Sequence, residues 1–445
     1  MRLLQLVSET SDIKKSEHWT RAQLEAHQAE RLKQVREYAY AKSPFYQKFH
    51  QGLFDAPLEK LPVLNKETLM SHFDEVMTDR NITLDDVRHY MDSEKAAKKF
   101  HGKYRIVATS GSTGKPGIFL FNDKEWTSVM AFLVARLGRW TGLKPSLTHR
   151  AKTAAVASSL RFHMSSQGGS TFLKQLLMPG ITLAASESTE ELVSKLNKFQ
   201  PDILSVYASI GRPLANAQMK GDLSISPRVV LSGSEVLTAE VRALMEKAWG
   251  NVLFNTYAAT EVGGIALECD RHEGMHIMED RIICEVVDAN NNPVAPGEYG
   301  SKLLITALFK YAQPLIRYEI SDSVRLSPTP CSCGQPFVLI DSIQGRSEEY
   351  LKLKTKNAGT VSIHPIVFHK IMDTQPIDNW QLIKKEDSLD IVVSGTRAGF
   401  SAAKIKSQLK DALAQRGAVV PTITIRKVAS IKRGASGKIN LIKPK

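Results

Sequence analysis

The sequence predicts an α/β protein, with a large N-terminal domain of mixed sheets covered by helices and a small α+β domain at the C-terminal end. Its 445 residues are too many for one ordinary core, so we expect two or three domains. Apolar helices alternate with short strands between about residues 104 and 265, which is typical of a parallel or mixed sheet. From Ile282 to Leu326 the apolar pattern changes to that of strands alone.

The N-terminal quarter is predicted to be helical. Residues 16–42 form a long helix in this prediction, because Leu24, Leu32 and Val35 recur at helical spacing among charged residues. A second helical pattern runs from residue 85 to about residue 100. Both segments precede the first predicted strand.

Strands and helices then alternate. Residues 104–109 read as a strand that runs into a loop rich in Gly, Ser and Thr, and residues 126–140 read as a helix. A short strand is predicted at 229–231. Strands at 282–287 and 302–307 flank a connection rich in Asn, Pro and Gly, so we expect them to pair antiparallel.

The last hundred residues predict a separate α+β domain. Residues 380–384 and 389–393 bracket a short polar turn and indicate a hairpin. A helix is expected at 400–414 and a further strand at 422–428. We therefore place the domain boundary near Arg346, which gives domains 1–345 and 346–445.

The charge is concentrated in the C-terminal domain. The chain carries a formal net charge of +13, and residues 346–445 hold 19 Lys or Arg against 8 Asp or Glu. Such a basic unit suits a polyphosphate, a phosphorylated cofactor or nucleic acid, although a solvated lysine-rich surface is the plainer alternative. The chain has no Arg/aromatic run of the kind that single-strand binders use, so we expect no nucleic-acid partner.

Compartment is predicted from what the sequence lacks. The chain contains no apolar run of 18 residues and no secretory signal pattern, so we expect no membrane association and a cytoplasmic location. Four cysteines in a chain of this length do not make a disulfide framework. Their clustering points to a metal site or to chance.

The strongest motif is Thr109-Ser-Gly-Ser-Thr-Gly-Lys-Pro-Gly117. Its glycines expose backbone N–H groups to one anion, while hydroxyls and a lysine add donors and charge, which suits the outer phosphates of ATP. The spacing differs from a Walker loop, because Pro116 follows the lysine. The alternative is a flexible surface loop. The candidate phosphate-binding residues are Ser110, Gly111, Ser112, Thr113, Gly114 and Lys115.

At this loop the sequence resembles the adenylate-forming superfamily of acyl-CoA synthetases, adenylation domains and luciferases. It is most similar to the phenylacetate–CoA ligase-like branch. The segment Ser43-Pro-Phe-Tyr-Gln resembles the opening of that branch's sequences. The resemblance implies an N-terminal domain that binds ATP and an acid, and a mobile C-terminal lid. It implies ATP-dependent adenylation of a carboxylic acid with Mg²⁺, followed by acyl transfer, usually to coenzyme A.

Two further blocks of the resemblance concern the nucleotide. The segment from Tyr257 through Ala258 to Thr260 and Glu261 looks like the family's Tyr-x-x-Thr-Glu. There the Tyr ring stacks on adenine, the Thr hydroxyl holds the α-phosphate and the carboxylate holds Mg²⁺. Asp322 stands where the family has its ribose-binding aspartate.

Three blocks surround the proposed lid. The family's adenine-side turn is similar to Gly233, Ser234 and Glu235, which also read as a plain helix start. Arg346 stands at the family's hinge and is expected to approach ribose or phosphate. The resemblance assigns Lys438 to the carboxylate and the α-phosphate, where negative charge grows as pyrophosphate leaves.

A zinc site is predicted from cysteine and histidine spacing. A thiolate, an imidazole and a Cys-x-Cys pair are able to close a tetrahedral site. Some members of the phenylacetate–CoA ligase-like branch carry such a site. His272 is an alternative imidazole, and four reduced cysteines without metal are the plainer interpretation. The predicted ligands are Cys269, His276, Cys331 and Cys333.

Substrate and acceptor are less determined by the sequence. Tyr207 and His163 are candidates for the acid pocket. Residues 350–359 lack the Gly-rich turn that the family uses for pantetheine, so an amine or a carrier protein is an alternative acceptor to coenzyme A. AMP transfer to a hydroxyl and an inactive nucleotide-binding protein are two further alternatives. The oligomeric state, monomer or homodimer, stays open.

Overall fold

The computed structural model describes residues 3–93, 99–109, 116–140, 150–167, 179–346, 350–434, 436–439 and 441–444. Contacts within the chain divide it into two compact units. The first comprises Met1–Leu147, Arg161–Lys174 and Thr256–Ser342. The second comprises Thr148–Leu160, Gln175–Asn255 and Ile343–Lys445.

The elements follow one another in the chain as the sequence broadly predicts. The helices are α1 (Leu3–Ser16), α2 (Arg21–Lys42), α3 (Pro44–Phe49), α4 (Lys66–Ser71), α5 (Phe73–Val76), α6 (Leu84–Asp92), α7 (Asp123–Trp140), α8 (Met164–Gln167), α9 (Thr189–Phe199), α10 (Ala208–Lys220), α11 (Ala239–Trp249), α12 (Ile366–Met372) and α13 (Ala402–Ala414), with a 3-10 turn at Leu58–Lys60. The strands are β1 (Tyr104–Ala108), β2 (Ile118–Asn122), β3 (Thr153–Ala157), β4 (Gly180–Ala184), β5 (Ile203–Val206), β6 (Val229–Gly233), β7 (Leu253–Ala259), β8 (Gly263–Glu268), β9 (Met275–Ile277), β10 (Ile282–Val287), β11 (Lys302–Ala307), β12 (Tyr318–Ile320), β13 (Asp322–Leu326), β14 (Leu339–Arg346), β15 (Leu351–Lys354), β16 (Thr360–Ile363), β17 (Asn379–Lys384), β18 (Ser388–Ser394), β19 (Thr422–Lys427) and β20 (Ile442–Pro444).

Two helix boundaries differ from the sequence prediction. The long helix α2 begins at Arg21 rather than at Ser16, because Thr20 and Gln23 form a reciprocal capping box at its N-terminus. The second predicted helix ends at Asp92, well before residue 100. Residues 94–98 lie outside the described part of the chain, and beyond them Phe100 forms a bridge with the first strand.

Among its described residues, the first unit contributes strands to three sheets. Strands β1 and β2 pair antiparallel, and β10, β11 and β12 form an antiparallel sheet in that order. The order β13-β14-β9-β8-β7 continues through the strands that carry the predicted nucleotide and metal residues. A core that includes Phe73, Ile106, Leu120 and Ala312 packs the N-terminal helices on β1 and β2. The predicted antiparallel pairing of 282–287 with 302–307 is confirmed.

The second unit contains two separate cores. Strands β6-β5-β3-β4 lie side by side, and the described pairs β5–β6, β3–β5 and β3–β4 are parallel. Leu204, Leu214 and Met245 belong to the core that covers these strands with helices. The strand order β19-β18-β17-β20 has its own core, centred on residues such as Phe368 and Ile391.

The architecture confirms the predicted α/β class, with a large sheet system covered by helices. The predicted hairpin is present as β17 and β18. The domain boundary near Arg346 and the mobility of the C-terminal domain remain predictions. In the described part of the chain, no helix is long and apolar enough to cross a membrane.

A buried charge cluster joins the end of α1 to other parts of the first unit. The guanidinium of Arg136 on α7 lies 2.8 Å from Glu17 and 3.0 Å from Asp280. It also donates to the Ser16 hydroxyl at 3.1 Å and lies over the Phe337 ring. Arg136 and the two carboxylates are buried, so the charge of the guanidinium compensates theirs where water does not.

We predict that Arg136→Met lowers the free energy of unfolding by about 3–5 kcal/mol, because it removes the cation that lies against the buried carboxylates of Glu17 and Asp280. Urea denaturation is the measurement. The matched control Lys15→Met removes an exposed ion pair with Asp12 and is expected to change the stability by less than about 0.5 kcal/mol. Equal losses in the two variants contradict the assignment.

Candidate active site and metal cluster

The base of the predicted phosphate loop is closed by two hydrogen bonds. The Thr109 N–H donates to the Gly117 carbonyl at 2.9 Å, and the Gly117 N–H donates to the Thr109 hydroxyl at 2.8 Å. Thr109 directly follows β1 and Gly117 directly precedes β2. The two strands pair in register from Tyr104 to Ala108. The candidate phosphate ligands Ser110–Lys115 lie outside the described residues. The described residues on either side of the loop, β1 and β2, pair antiparallel.

Two predicted nucleotide residues meet in the first unit. The hydroxyl of Tyr257, near the end of β7, donates to the carboxylate of Asp322 at 2.6 Å. Tyr257 is largely buried, whereas Asp322 at the start of β13 is half-buried. The short, charge-assisted bond fixes the ring and the carboxylate relative to each other. The sequence placed these residues 65 positions apart and assigned them to adjacent parts of one nucleotide.

The Thr260–Glu261 turn joins β7 to β8, and the start of β8 is packed tightly against α7. Gly263 has a φ of +80°, and a Cβ there would lie 2.9 Å from Val129. A Cβ on Gly264 would lie 2.5 Å from the Phe132 ring. Both positions therefore require glycine, and the backbone after Glu261 approaches the helix more closely than a side chain allows.

A buried lysine that the sequence analysis missed supports the same turn. Lys310, just after β11, donates to the carbonyl of Glu261 at 3.2 Å and to the carbonyl of Leu120 at 3.2 Å. Its ammonium also lies 3.7 Å from the centre of the Phe121 ring. Burial lowers the pKa of Lys310 to about 8, although the charges of Glu125 and Glu261 oppose this shift.

The predicted catalytic lysine is anchored in the second unit. The Lys438 ammonium donates to the Ser234 carbonyl at 2.7 Å and lies 5.5 Å from the centre of the Tyr207 ring. The Tyr207 hydroxyl in turn accepts the Ser158 N–H at 3.0 Å. Three residues from separate sequence predictions, Lys438, Ser234 and Tyr207, thus lie together.

Arg433 holds the segment that precedes Lys438. Its guanidinium donates to the Ser209 hydroxyl at 2.9 Å, to the Ser209 carbonyl at 3.1 Å and to the Gly437 carbonyl at 3.1 Å. Ser209 also donates its N–H to the Glu235 carboxylate at 2.8 Å. Burial lowers the pKa of Arg433, and the Glu235 charge opposes this. In this structure the Glu235 carboxylate therefore accepts hydrogen bonds from Ser209 in the first turn of α10.

The remaining predicted residues occupy other positions. Within the adenine-side turn, Ser234 has a φ of +67°, while Gly233 ends β6. His163 is largely buried in the first unit, and its Nδ1 lies 2.9 Å from the Ser165 hydroxyl. Arg346 is exposed at the end of β14. Their proposed roles toward substrate and nucleotide remain predictions.

The predicted metal ligands form one cluster in the first unit. The Sγ atoms of Cys269 and Cys331 are 3.7 Å apart, and Cys333 Sγ lies 3.5 Å from His276 Nε2. All four ligand atoms lie within 4.8 Å of one another. Zn–S bonds of about 2.3 Å at tetrahedral angles place two sulfurs about 3.8 Å apart, so the spacing fits zinc.

The choice between the two histidines follows from their surroundings. His276, on β9, is buried and belongs to the cluster, whereas the His272 Nδ1 lies 3.5 Å from Glu268. Burial lowers the pKa of His276 to about 4, with help from the Arg136 charge, so the imidazole is neutral and able to bind a metal. Burial also raises the pKa of Cys269 to about 11.

The comparison with protein families decides the classification. Residues 26–306 match the family model described as AMP-binding enzyme. The chain belongs to this family. A phenylacetate–coenzyme A ligase of Escherichia coli is 30% identical over 345 residues, which cover 75% of this chain and 74% of that protein. The corresponding enzyme of Thermus thermophilus is 27% identical over 390 residues, covering 83% and 80%.

Solved structures agree with this AMP-binding enzyme in fold. A 2-hydroxyisobutyryl-CoA ligase in the postadenylation state matches with a TM-score of 0.73 at 18% identity, covering 97% of this chain and 91% of that one. The sequence prediction of an AMP-forming ligase of the phenylacetate–CoA ligase-like branch is thereby confirmed.

We predict that Gly437 is required by packing as well as by backbone conformation. Gly437 and Gly417 both have a φ of +78°, but a Cβ on Gly437 would lie 2.2 Å from Ala185, whereas Gly417 faces open space. Gly417→Ala should cost about 1–2 kcal/mol of unfolding free energy for the strained φ. Gly437→Ala should cost about 1–3 kcal/mol more, because the segment before Lys438 is forced away from Ala185.

Thermal and urea denaturation of the two variants measure this difference. Since the backbone term is common to both, their difference isolates the contact with Ala185. Equal losses would show that this contact does not constrain the Gly437–Lys438 segment.

Proposed function

We propose that this AMP-binding enzyme adenylates a carboxylic acid with ATP and Mg²⁺ and then transfers the acyl group to coenzyme A. The observation that carries the proposal is the anchored ammonium of Lys438, held at the Ser234 carbonyl and the Tyr207 ring in a member of this family. The bond between Tyr257 and Asp322 supports it from the nucleotide side. The similarity to phenylacetate–coenzyme A ligases supports the choice of acid activation.

The first half-reaction needs little covalent chemistry from the protein. A carboxylate oxygen attacks the α-phosphorus, the bond from that phosphorus to the bridging oxygen breaks, and pyrophosphate leaves with the electron pair. The enzyme has to bring two anions together and neutralise charge. We assign Tyr257 to the adenine and Asp322 to the ribose hydroxyls, with Lys115 on the outer phosphates.

Charge at the α-phosphate is assigned to three residues. Thr260 binds the α-phosphate, and Glu261 is the carboxylate that holds Mg²⁺, which screens the phosphate oxygens. Lys438 stabilises the charge that develops between carboxylate and phosphate. His163 and Tyr207 are proposed to contact the acid.

The second half-reaction needs a nucleophile, and coenzyme A is our choice. The segment after Arg346 forms the hairpin β15–β16, on which Lys352 and Lys354 are exposed. This basic hairpin, in a domain with excess positive charge, suits the phosphates of coenzyme A. Amines and carrier proteins are the alternatives that an acceptor panel separates.

Pyrophosphate release with a panel of carboxylic acids tests the first half-reaction. We expect release that depends on one class of acid and on Mg²⁺. Adding coenzyme A or an amino acid in turn should then show acyl transfer to the thiol of coenzyme A, with release of AMP, and no transfer to the amino acid. Pyrophosphate release with a hydroxyl compound and without any carboxylic acid contradicts the proposal and favours AMP transfer.

In the same assay, Lys438→Ala should lower the rate of pyrophosphate release by about 10²–10³-fold, because the ammonium acts on charge that develops in the transition state. AMP affinity, measured by calorimetry, should change by less than about threefold. The control Lys432→Ala removes an exposed lysine from the same basic segment and should leave both quantities unchanged. Parallel losses of affinity and rate in Lys438→Ala would assign this lysine to ground-state binding instead.

We also propose that the cysteine–histidine cluster holds a structural zinc ion. Three thiolates and one imidazole complete a tetrahedral site with no position left for a substrate, so the ion serves stability rather than chemistry. The four cysteines form no disulfide in the structure, as expected for a cytoplasmic protein, and that is the location we propose. The ion links β9, the residues after β8 and the loop that carries Cys331.

Metal analysis of the purified protein should find about one zinc per chain. Cys331→Ser should lose the ion and unfold at lower denaturant concentration, because the binding free energy of zinc stabilises the fold. Cys284→Ser is the matched control, since Cys284 lies on β10 outside the cluster, and it should retain the zinc. Wild-type protein purified without chelator and free of zinc rules the site out.

A further inference from the structure

The strand that leaves the phosphate loop is held along one edge by side chains from a distant segment. β2 pairs with β1. The amide of Gln313 accepts the Leu120 N–H at 3.1 Å and donates to the Ile118 carbonyl at 3.3 Å, as a neighbouring strand would. A buried side chain thus supplies the backbone pairing of β2.

Lys310, three residues before Gln313, binds β2 as well and also contacts the Thr260–Glu261 turn. Its ammonium donates to the carbonyls of Leu120 and Glu261, both at 3.2 Å, and lies against the face of Phe121. One cation therefore joins the backbone of β2 to the backbone of the Thr260–Glu261 turn. Both bonds are charge-assisted; the bond to Leu120 is buried and the bond to Glu261 is partly buried, so both are shielded from competing water.

The backbone that carries the two side chains is itself fixed to β2. The buried carboxylate of Glu125, in the first turn of α7, accepts the N–H groups of Tyr311 and Ala312, both at 2.7 Å. Its second oxygen accepts the Asn122 N–H at 2.8 Å, at the end of β2. The segment 310–313 consequently has little freedom relative to the strand.

We propose that Lys310, together with Gln313, is a positioning residue for adenylation: it fixes the Thr260–Glu261 turn relative to the strand that leaves the phosphate loop. The inference rests on the proposed function, in which the loop holds the outer phosphates while Thr260 and Glu261 act on the α-phosphate and Mg²⁺. These groups bind one triphosphate, so their spacing has to be set before the nucleotide arrives.

A purely structural role predicts a different result. A lysine that only fills the core affects stability, and activity falls only as the folded fraction falls. A lysine that sets the position of Glu261 affects the turnover rate and the Mg²⁺ requirement of the folded enzyme. A displacement of about 1 Å is enough to cost about 10²-fold in rate. The two roles therefore separate in folded protein.

The experiment uses Lys310→Met, which keeps the length and the apolar stem and removes the ammonium. Below its melting temperature, kcat for pyrophosphate release should fall by about tenfold or more, and the half-saturating Mg²⁺ concentration should rise severalfold. The affinity for AMP should stay within about threefold of the wild-type value, since Tyr257 and Asp322 are untouched. The control Leu303→Ala removes a buried side chain from β11 and should lower the melting temperature but leave kcat within about twofold.

Gln313→Leu is the second variant and removes no charge, so it tests the assignment where Lys310→Met does not fold. It should lower kcat with AMP affinity retained. Wild-type kcat and Mg²⁺ dependence in folded Lys310→Met or Gln313→Leu overturn the proposal, as does a loss no larger than that of Leu303→Ala. If the wild-type protein neither binds AMP nor releases pyrophosphate, the proposed function itself fails; if it does both and the variants match it, only the positioning role fails.

Discussion

The two hydrogen bonds of the Lys310 ammonium are the interaction on which our proposed nucleotide site in the first unit depends. They connect β2, which begins directly after the phosphate loop, with the turn that carries Thr260 and Glu261. β2 pairs with β1, and the side chains of Lys310 and Gln313 supply further hydrogen bonds to the backbone groups of Ile118 and Leu120. The glycines after Glu261 complete the arrangement, because they let the start of β8 lie directly on α7.

In the second unit, buried contacts of neighbouring residues likewise fix the position of Lys438. Lys438 is positioned through Gly437, which fits against Ala185 only because it lacks a side chain. It is also positioned through Arg433, which donates to the hydroxyl and carbonyl oxygens of Ser209. The Glu235 carboxylate accepts from Ser209 as well, so one residue at the start of α10 anchors two predicted motifs. In both units, a flexible charged side chain gains direction from a rigid backbone.

The sequence was most informative where local chemistry alone determines the structure. The strand before the phosphate loop and the antiparallel pair β10–β11 were correctly predicted, because alternation and turn residues specify them. The four candidate metal ligands are gathered as their spacing indicated. The start of α2 was wrong although Thr20 and Gln23 form a recognisable capping pair, because the helical pattern was extended through them. Helix α1 was missed; among its side chains whose burial is described, Ile13 is the one apolar residue that is buried, so the helix has little apolar pattern.

Lys310 shows why part of the site lies beyond local sequence reasoning. A lysine in the apolar segment between β11 and β12 is the available signal, but its partners are 49 and 190 residues away and are backbone carbonyls. Arg136 differs from it, because its guanidinium is neutralised directly by two carboxylates. Lys310 donates its hydrogen bonds to carbonyls, while the charges of Glu125 and Glu261 raise its pKa against the effect of burial. Desolvating an ammonium for carbonyl partners stabilises a fold less than a well-packed apolar side chain of similar length does. The arrangement is therefore better explained by the position it gives to Glu261 than by the stability it adds.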